Sequence, residues 1–264
     1  MAAAALLMHL SERGPVWVAL VMSGLAMALT SLGGFGVLFL RGGEERLPLL
    51  IDVGLGFSSG VMVAASFTSL LVPAIDSYGA LRPLAGVVLG ALTVHAVNEL
   101  VPHEHLVKGY EGPPSGLRKL KAAWLVALAI IIHNLPEGLS IGAASAYSAR
   151  TGFTVGLAIA IQDIPEGLAV SVPVYASGGS LGRALLYAWL SGLSEMAMAV
   201  PAAYLTEVSV RLLPYALGFG AGAMLYVVSH EAIPETHRSG HEGKATLAFF
   251  AGLILMAALD TAIK

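Results

Sequence analysis

Cysteine is absent from this 264-residue chain, so neither a disulfide framework nor thiolate metal ligation is open to it. Charge is scarce as well: Asp, Glu, Lys and Arg make up 12% of the residues, about half the ~25% usual in soluble domains. The formal net charge is −3 and no basic run occurs, which leaves no footing for nucleic acid. There is no Gly-x-x-x-x-Gly-Lys-Ser/Thr loop, so ATP is not the evident energy source. Nor is there a His-Glu-x-x-His pair or a Ser or Cys nucleophile constellation, which weighs against an enzyme.

What is present is apolar. Hydrophobic residues make up 56% of the chain and the mean hydropathy is +0.79. Glycine is abundant at 31 residues, as expected where membrane helices pack closely through small side chains. A helix needs about 20 apolar residues to cross the bilayer. With Pro, Gly and charge clusters as punctuation, the sequence predicts eight spans, at 15–40, 49–73, 81–101, 121–147, 152–175, 181–206, 212–230 and 244–263. The expected fold is all-α, a single polytopic membrane domain over 1–264. Met1 to Leu10 lacks a basic n-region and reads as an extramembrane lead-in, not a cleaved signal.

Sidedness follows from the basic residues. With the N-terminus outside, the inner flanks hold Arg41, Arg46, Lys108, Arg118, Lys119, Lys121, Arg183, Arg238 and Lys244, against Arg13, Arg82, Arg150, Arg211 and Lys264 outside. Both termini are therefore expected outside, in a multi-pass protein of the cell (inner) membrane.

Two polar blocks interrupt the hydrophobic runs: His133-Asn134-Leu135-Pro136-Glu137-Gly138 and, 29 residues on, Gln162-Asp163-Ile164-Pro165-Glu166-Gly167. Each ionisable group at mid-bilayer costs on the order of 3 kcal/mol on insertion scales, so two such blocks mark a site. Residues four apart share a helix face, which pairs His133 with Glu137 and Gln162 with Glu166. Pro136 and Pro165 withhold an N–H from the carbonyls of Ile132 and Ile161, and a kink is expected at each. If the two helices cross at the blocks, Glu137 faces Glu166, and two adjacent carboxylates need a proton or cation between them. One imidazole among hard oxygens, without sulfur, suits Zn²⁺, with Fe²⁺, Mn²⁺ and Cd²⁺ also compatible. A polar helix interface closed by hydrogen bonds would explain one block, but two blocks together favour metal.

A second repeat links spans 2 and 7: Leu55-Gly56-Phe57-x-x-Gly60-x-Met62 and Leu217-Gly218-Phe219-x-x-Gly222-x-Met224. Spans 2 and 7 cross in opposite directions, as do spans 4 and 5, which is the pattern of inverted-repeat transporters. Taken singly, the glycines fit helix packing equally well.

At the two polar blocks the chain resembles the ZIP (Zrt/Irt-like) family of divalent-metal transporters, in its bacterial branch. The resemblance implies a binuclear centre halfway across the membrane. His133, Glu137, Gln162 and Glu166 would form one metal site, and Asn134, Glu137, Asp163, Glu166 and Glu195 the other, with Glu137 and Glu166 bridging. Glu195 lies in span 6, whose only basic residue is Arg183 at its start, so a metal is its best partner. The resemblance further implies alternating access, spans 1, 4, 5 and 6 moving against 2, 3, 7 and 8.

Asp52, Asn98, Glu99, His230 and Glu231 are candidates for an exit route toward the cytoplasm, although Asp52 also reads as an ordinary helix-start acid. Asn98 stands where relatives often carry an acid. Asp76 and Asp260 are candidate entrance acids, and Met62, Ala65 and Ser69 resemble the pathway face of span 2; for Met62, core packing is the competing account. His95 has no assigned role. His103 and His105 fall in the loop that senses metal in the family, while His9, His237 and His241 are expected to be exposed. The partners are divalent metal ions and the lipid bilayer, with zinc as transported substrate, no organic cofactor, and a homodimer compatible with the reading. A channel-like metal pore and a membrane zinc metalloenzyme are the alternatives.

Overall fold

The structure is a computed structural model that describes residues 9, 12–40, 47–105, 109–111, 122–176, 178–237 and 239–263. Among them are eight long helices: α1 (Pro15–Gly34), α2 (Leu47–Tyr78), α3 (Leu81–Leu100), α4 (Ala122–Tyr147), α5 (Ala149–Ala176), α6 (Leu181–Val208), α7 (Val210–Thr236) and α8 (Glu242–Ala262). Each overlaps one expected span. The chain is an all-α polytopic membrane protein, and six of these helices, α1, α2, α3, α5, α7 and α8, are long and apolar enough to cross a membrane. In α6 the polar interruptions Arg183 and Glu195 dilute the apolar run. Much of the first half of α4 lies outside the described side chains.

Of the basic residues behind the expected sidedness, Arg41, Arg46, Lys108, Arg118, Lys119, Lys121, Arg238 and Lys264 lie outside the described residues, as does most of Met1 to Leu10. One departure from a purely helical chain is a two-stranded hairpin, β1 (His103–His105) and β2 (Gly109–Glu111), which sets His103 opposite Glu111. Three-residue strands leave no periodic signal.

The second departure is in α2 and α7, which run past their expected ends. Each contains a π turn, Ser66–Leu71 and Val228–Ala232, beginning four residues after Met62 and Met224. Each turn is followed by a proline, Pro73 or Pro234, that cannot donate to a helical carbonyl. Slipping to wider i→i+5 bonds lets the helix continue past the missing donor. Thus the repeat in spans 2 and 7 extends beyond its sequence match into the same local distortion.

Packing follows the glycines. α1 lies against α5 and α6, and α4 against α6 and α5; α2 pairs with α8 and α3 with α7. In each case backbones approach closely. A Cβ on Gly167 would stand 1.9 Å from the Thr30 carbonyl oxygen, one on Gly60 1.9 Å from that of Phe249, and one on Gly222 2.1 Å from that of Val87. At the joins of α2 to α5 and α4 to α7 the nearest atoms belong to side chains, as they also do where Gly156 of α5 meets Met22 of α1. Gly54 meets the Pro165 side chain first and Gly220 the Ser140 side chain. α5 is the most enclosed of the six apolar helices, with 72% of its most apolar stretch buried, against 17% for α8. The helix carrying Gln162, Asp163 and Glu166 is therefore central.

Candidate metal centre

α4, α5 and α6 each carry part of one buried polar cluster. Helical spacing stacks His133 and Glu137 on α4, and Gln162 and Glu166 on α5. Gly138 then lets α4 approach α6 so closely that a Cβ there would stand 2.1 Å from the Glu195 carbonyl oxygen. One turn before that contact, Asn134 Nδ2 donates to Glu195 Oε1 at 2.9 Å. Between α4 and α5, Gln162 Nε2 donates to Glu137 Oε1 at 2.6 Å. All seven residues singled out in spans 4, 5 and 6 thus gather in one place.

Two sets of ligand atoms stand within 4.8 Å of one another: His133, Glu137 and Glu166, and Glu137, Asp163 and Glu195. Glu137 belongs to both. Ligand atoms on a tetrahedral zinc at about 2.1 Å stand about 3.4 Å apart. The side chains would therefore need to close by at most about 1.4 Å around an ion.

Glu137, Asp163, Glu195, Gln162 and Asn134 are fully enclosed and Glu166 nearly so. Both oxygens of Asp163 and of Glu166 lack a hydrogen-bond partner, as do Glu137 Oε2, Glu195 Oε2, Gln162 Oε1 and Asn134 Oδ1. Each unmet buried acceptor costs roughly 1–3 kcal/mol. Two carboxylates about 4 Å apart repel by about 4 kcal/mol at an effective dielectric of 20. The basic residues of these three helices, Arg150 and Arg183, are both exposed near helix ends. Four acids and eight unmet oxygens, with no Lys or Arg side chain among them, have the chemistry to hold a cation, and the donor set, one imidazole with oxygens, fits a divalent ion.

The other candidates fall into separate groups. Glu231, buried in the π turn of α7, accepts from Asn98 Nδ2 on Oε1 at 2.7 Å, and its Oε2 lies 3.6 Å from His133 Nδ1. That chain of contacts reaches the centre directly. His230 is half-exposed, 3.7 Å from Glu111 Oε2, and Glu99 is exposed. Asp52 is buried and accepts from Ser239 at 3.3 Å, with His241 Nδ1 2.9 Å away. This corrects the expectation for His241, which is half-buried; His9 and His237 are exposed. Asp260 accepts from Thr68 and, at 2.8 Å, from Ser69. Met62 and Ala65 are buried, and Asp76 is exposed. His95 is exposed, its Nδ1 2.9 Å from the Tyr226 hydroxyl. His103 lies 3.6 Å from Glu111 in the hairpin, where His105 pairs through its backbone with Gly109.

Two serines at the centre fall outside the sequence expectations. Ser191 Oγ takes a hydrogen bond from Asn134, and Ser58 Oγ donates across from α2 to the Gln162 carbonyl at 3.1 Å. A sequence signal exists for both: Ser191 is four residues before Glu195, and Ser58 is four before Met62 on the face shared with Ala65 and Ser69.

The ZIP Zinc transporter family profile matches residues 102–260. The chain is 40% identical over 254 residues to zinc transporter GufA of Myxococcus xanthus, covering 92% of this chain and 98% of that protein. It is 42% identical over 254 residues to zinc transporter ZIPB of Bordetella bronchiseptica, covering 92% and 81%. Zinc transporter ZupT of Akkermansia muciniphila is 34% identical over 262 residues, covering 92% and 96%.

Proposed function

Since this chain belongs to the ZIP family of zinc transporters, we propose that it carries zinc and similar divalent ions into the cytoplasm through the carboxylate cluster of α4, α5 and α6. It is a divalent metal transporter and not an enzyme. The observation that carries the placement is the pair of overlapping ligand sets sharing Glu137.

In this reading the cluster holds two ions. His133, Glu137, Gln162 and Glu166 surround one, and Asn134, Glu137, Asp163, Glu166 and Glu195 the other. Glu137 and Glu166 bridge them. The ions neutralise carboxylates that otherwise repel across a space closed to water, and they fill the lone pairs left unmet.

All eight helices span the membrane in this reading, with inverted repeats relating α2 to α7 and α4 to α5. Pro136 and Pro165 bend their helices at the centre, and both termini lie outside the inner membrane. Alternating access moves α1, α4, α5 and α6 against α2, α3, α7 and α8. Supporting it, the closest glycine-to-backbone contacts join helices within each of those two groups, while Gly54 and Gly220 meet side-chain atoms first across the boundary. Asp260 and Ser69, above Met62, would receive the ion. Glu231, held by Asn98 and adjacent to His133, would take it onward, with Asp52 and His230 beyond.

The test is zinc uptake by the purified protein in liposomes, with Fe²⁺, Mn²⁺ and Cd²⁺ as competitors. Saturable uptake that competing divalent ions suppress supports the reading. Flux linear with concentration favours a channel, and no flux at all sinks transport through this protein.

A further inference from the structure

An amide nitrogen carries two N–H donors, and both of those on Asn134 are spent on α6. One goes to Ser191 Oγ and the other to Glu195 Oε1, each at 2.9 Å. Ser191 and Glu195 are four residues apart, so a single face of α6 offers both acceptors. Asn134, Ser191 and Glu195 are all fully enclosed. At the opposite end of the same planar group, Asn134 Oδ1 is a buried acceptor without a hydrogen-bond partner. The reversed amide is disfavoured when Glu195 is ionised, since a carboxylate oxygen would then face the amide oxygen.

We propose that Ser191 is a positioning residue of the metal centre: its hydroxyl holds the Asn134 amide with Oδ1 presented as a neutral oxygen ligand to a divalent cation. Two anchored N–H bonds fix the plane and the direction of the amide. Glu195 alone leaves the group free to swing about one bond. Without the serine oxygen, one buried N–H is unmet, and the amide turns to satisfy it at the expense of its carbonyl. Ser191 itself need not touch the ion.

This inference rests on the transport reading of the cluster, and the experiment separates the two. Zinc uptake is measured on the full-length protein in liposomes over a range of zinc concentrations. Ser191→Ala raises KM about tenfold, the low end for residues that orient metal ligands, and leaves the maximal rate near that of the unmodified protein. Ser191→Thr keeps a hydroxyl at the same place and restores KM. In an Asn134→Ala background the ligand is already gone, so adding Ser191→Ala raises KM no further.

An unchanged KM in Ser191→Ala overturns the proposal, and so does a further rise on adding it to Asn134→Ala, which would reveal an independent packing role. Both comparisons start from saturable uptake by the unmodified protein. Its absence instead overturns the transport reading, and the proposal with it. Should Ser191→Ala not be recovered folded, Ser191→Cys, whose thiol is a weaker acceptor of similar size, is read by the same criteria.

Discussion

Gln162 Nε2 reaches Glu137 Oε1 at 2.6 Å, with both side chains fully enclosed. The bond joins the two polar blocks and consumes only one of Glu137's oxygens, leaving Oε2 without a partner. Glu137 is therefore held in place yet retains a lone pair for an ion.

Glu137→Ala and Glu166→Ala should each reduce zinc uptake to background while leaving folded protein in the membrane. Partners that only orient a ligand cost about 10–100-fold, so removing a bridging acid should exceed about a hundredfold. Uptake is compared at matched protein per liposome. Native rates in either variant would contradict the bridging role.

Zinc uptake should fall as the pH outside the liposomes is lowered from about 7 to about 5, across the ordinary titration range of imidazole. A protonated imidazole or carboxylic acid has given up the lone pair that would bind metal, so protons and zinc compete. The sign is fixed: acid raises KM, and more zinc recovers the rate. Acid inhibition that saturating zinc does not relieve would point to another group.

The Cβ of Gly220 would stand 3.4 Å from that of Ser140, across the boundary between α4 and α7. Disulfides favour Cβ separations of about 3.5–4.5 Å. Since the chain has no cysteine of its own, Ser140→Cys with Gly220→Cys introduces a single pair. Oxidation should stop uptake and a reductant should restore it. Undiminished transport by the fully oxidised variant would rule out movement of α4 against α7.

Gly138→Val should destabilise the protein by about 2 kcal/mol, as overpacking does, because the added carbon falls on the Glu195 backbone. Gly24→Ala in α1 meets nothing within 4 Å and should gain about 0.5 kcal/mol from helix propensity. Thermal unfolding in detergent reports both. Equal stability of the two variants would argue against close approach of α4 and α6.

The long helices and the gathering of the polar blocks into one buried cluster are largely legible in the sequence because their signals are local. Helical spacing joins His133 to Glu137 and Gln162 to Glu166, and the lack of a basic neighbour flags Glu195. What escapes depends on distant chain segments. His241 reads as a loop histidine until α8 brings it to Asp52, 189 residues away. Spacing places Ser58 on the face of Met62, but its partner, the Gln162 carbonyl 104 residues on, is a backbone group that no periodicity encodes. Proline reads as a terminator, which shortens the expected spans at α2 and α7, whereas in the folded chain a π turn absorbs it.

Each of those π turns contains one residue more than an ordinary helical turn would need. A deletion elsewhere in α2 rotates everything beyond it by roughly a third of a revolution and misaims its lipid-facing and inward side chains. A one-residue deletion within Ser66–Leu71 can be taken up by tightening the surplus turn, with both flanks keeping their phase. The same holds for Val228–Ala232 in α7. These two short stretches are where the framework should best withstand loss of a codon.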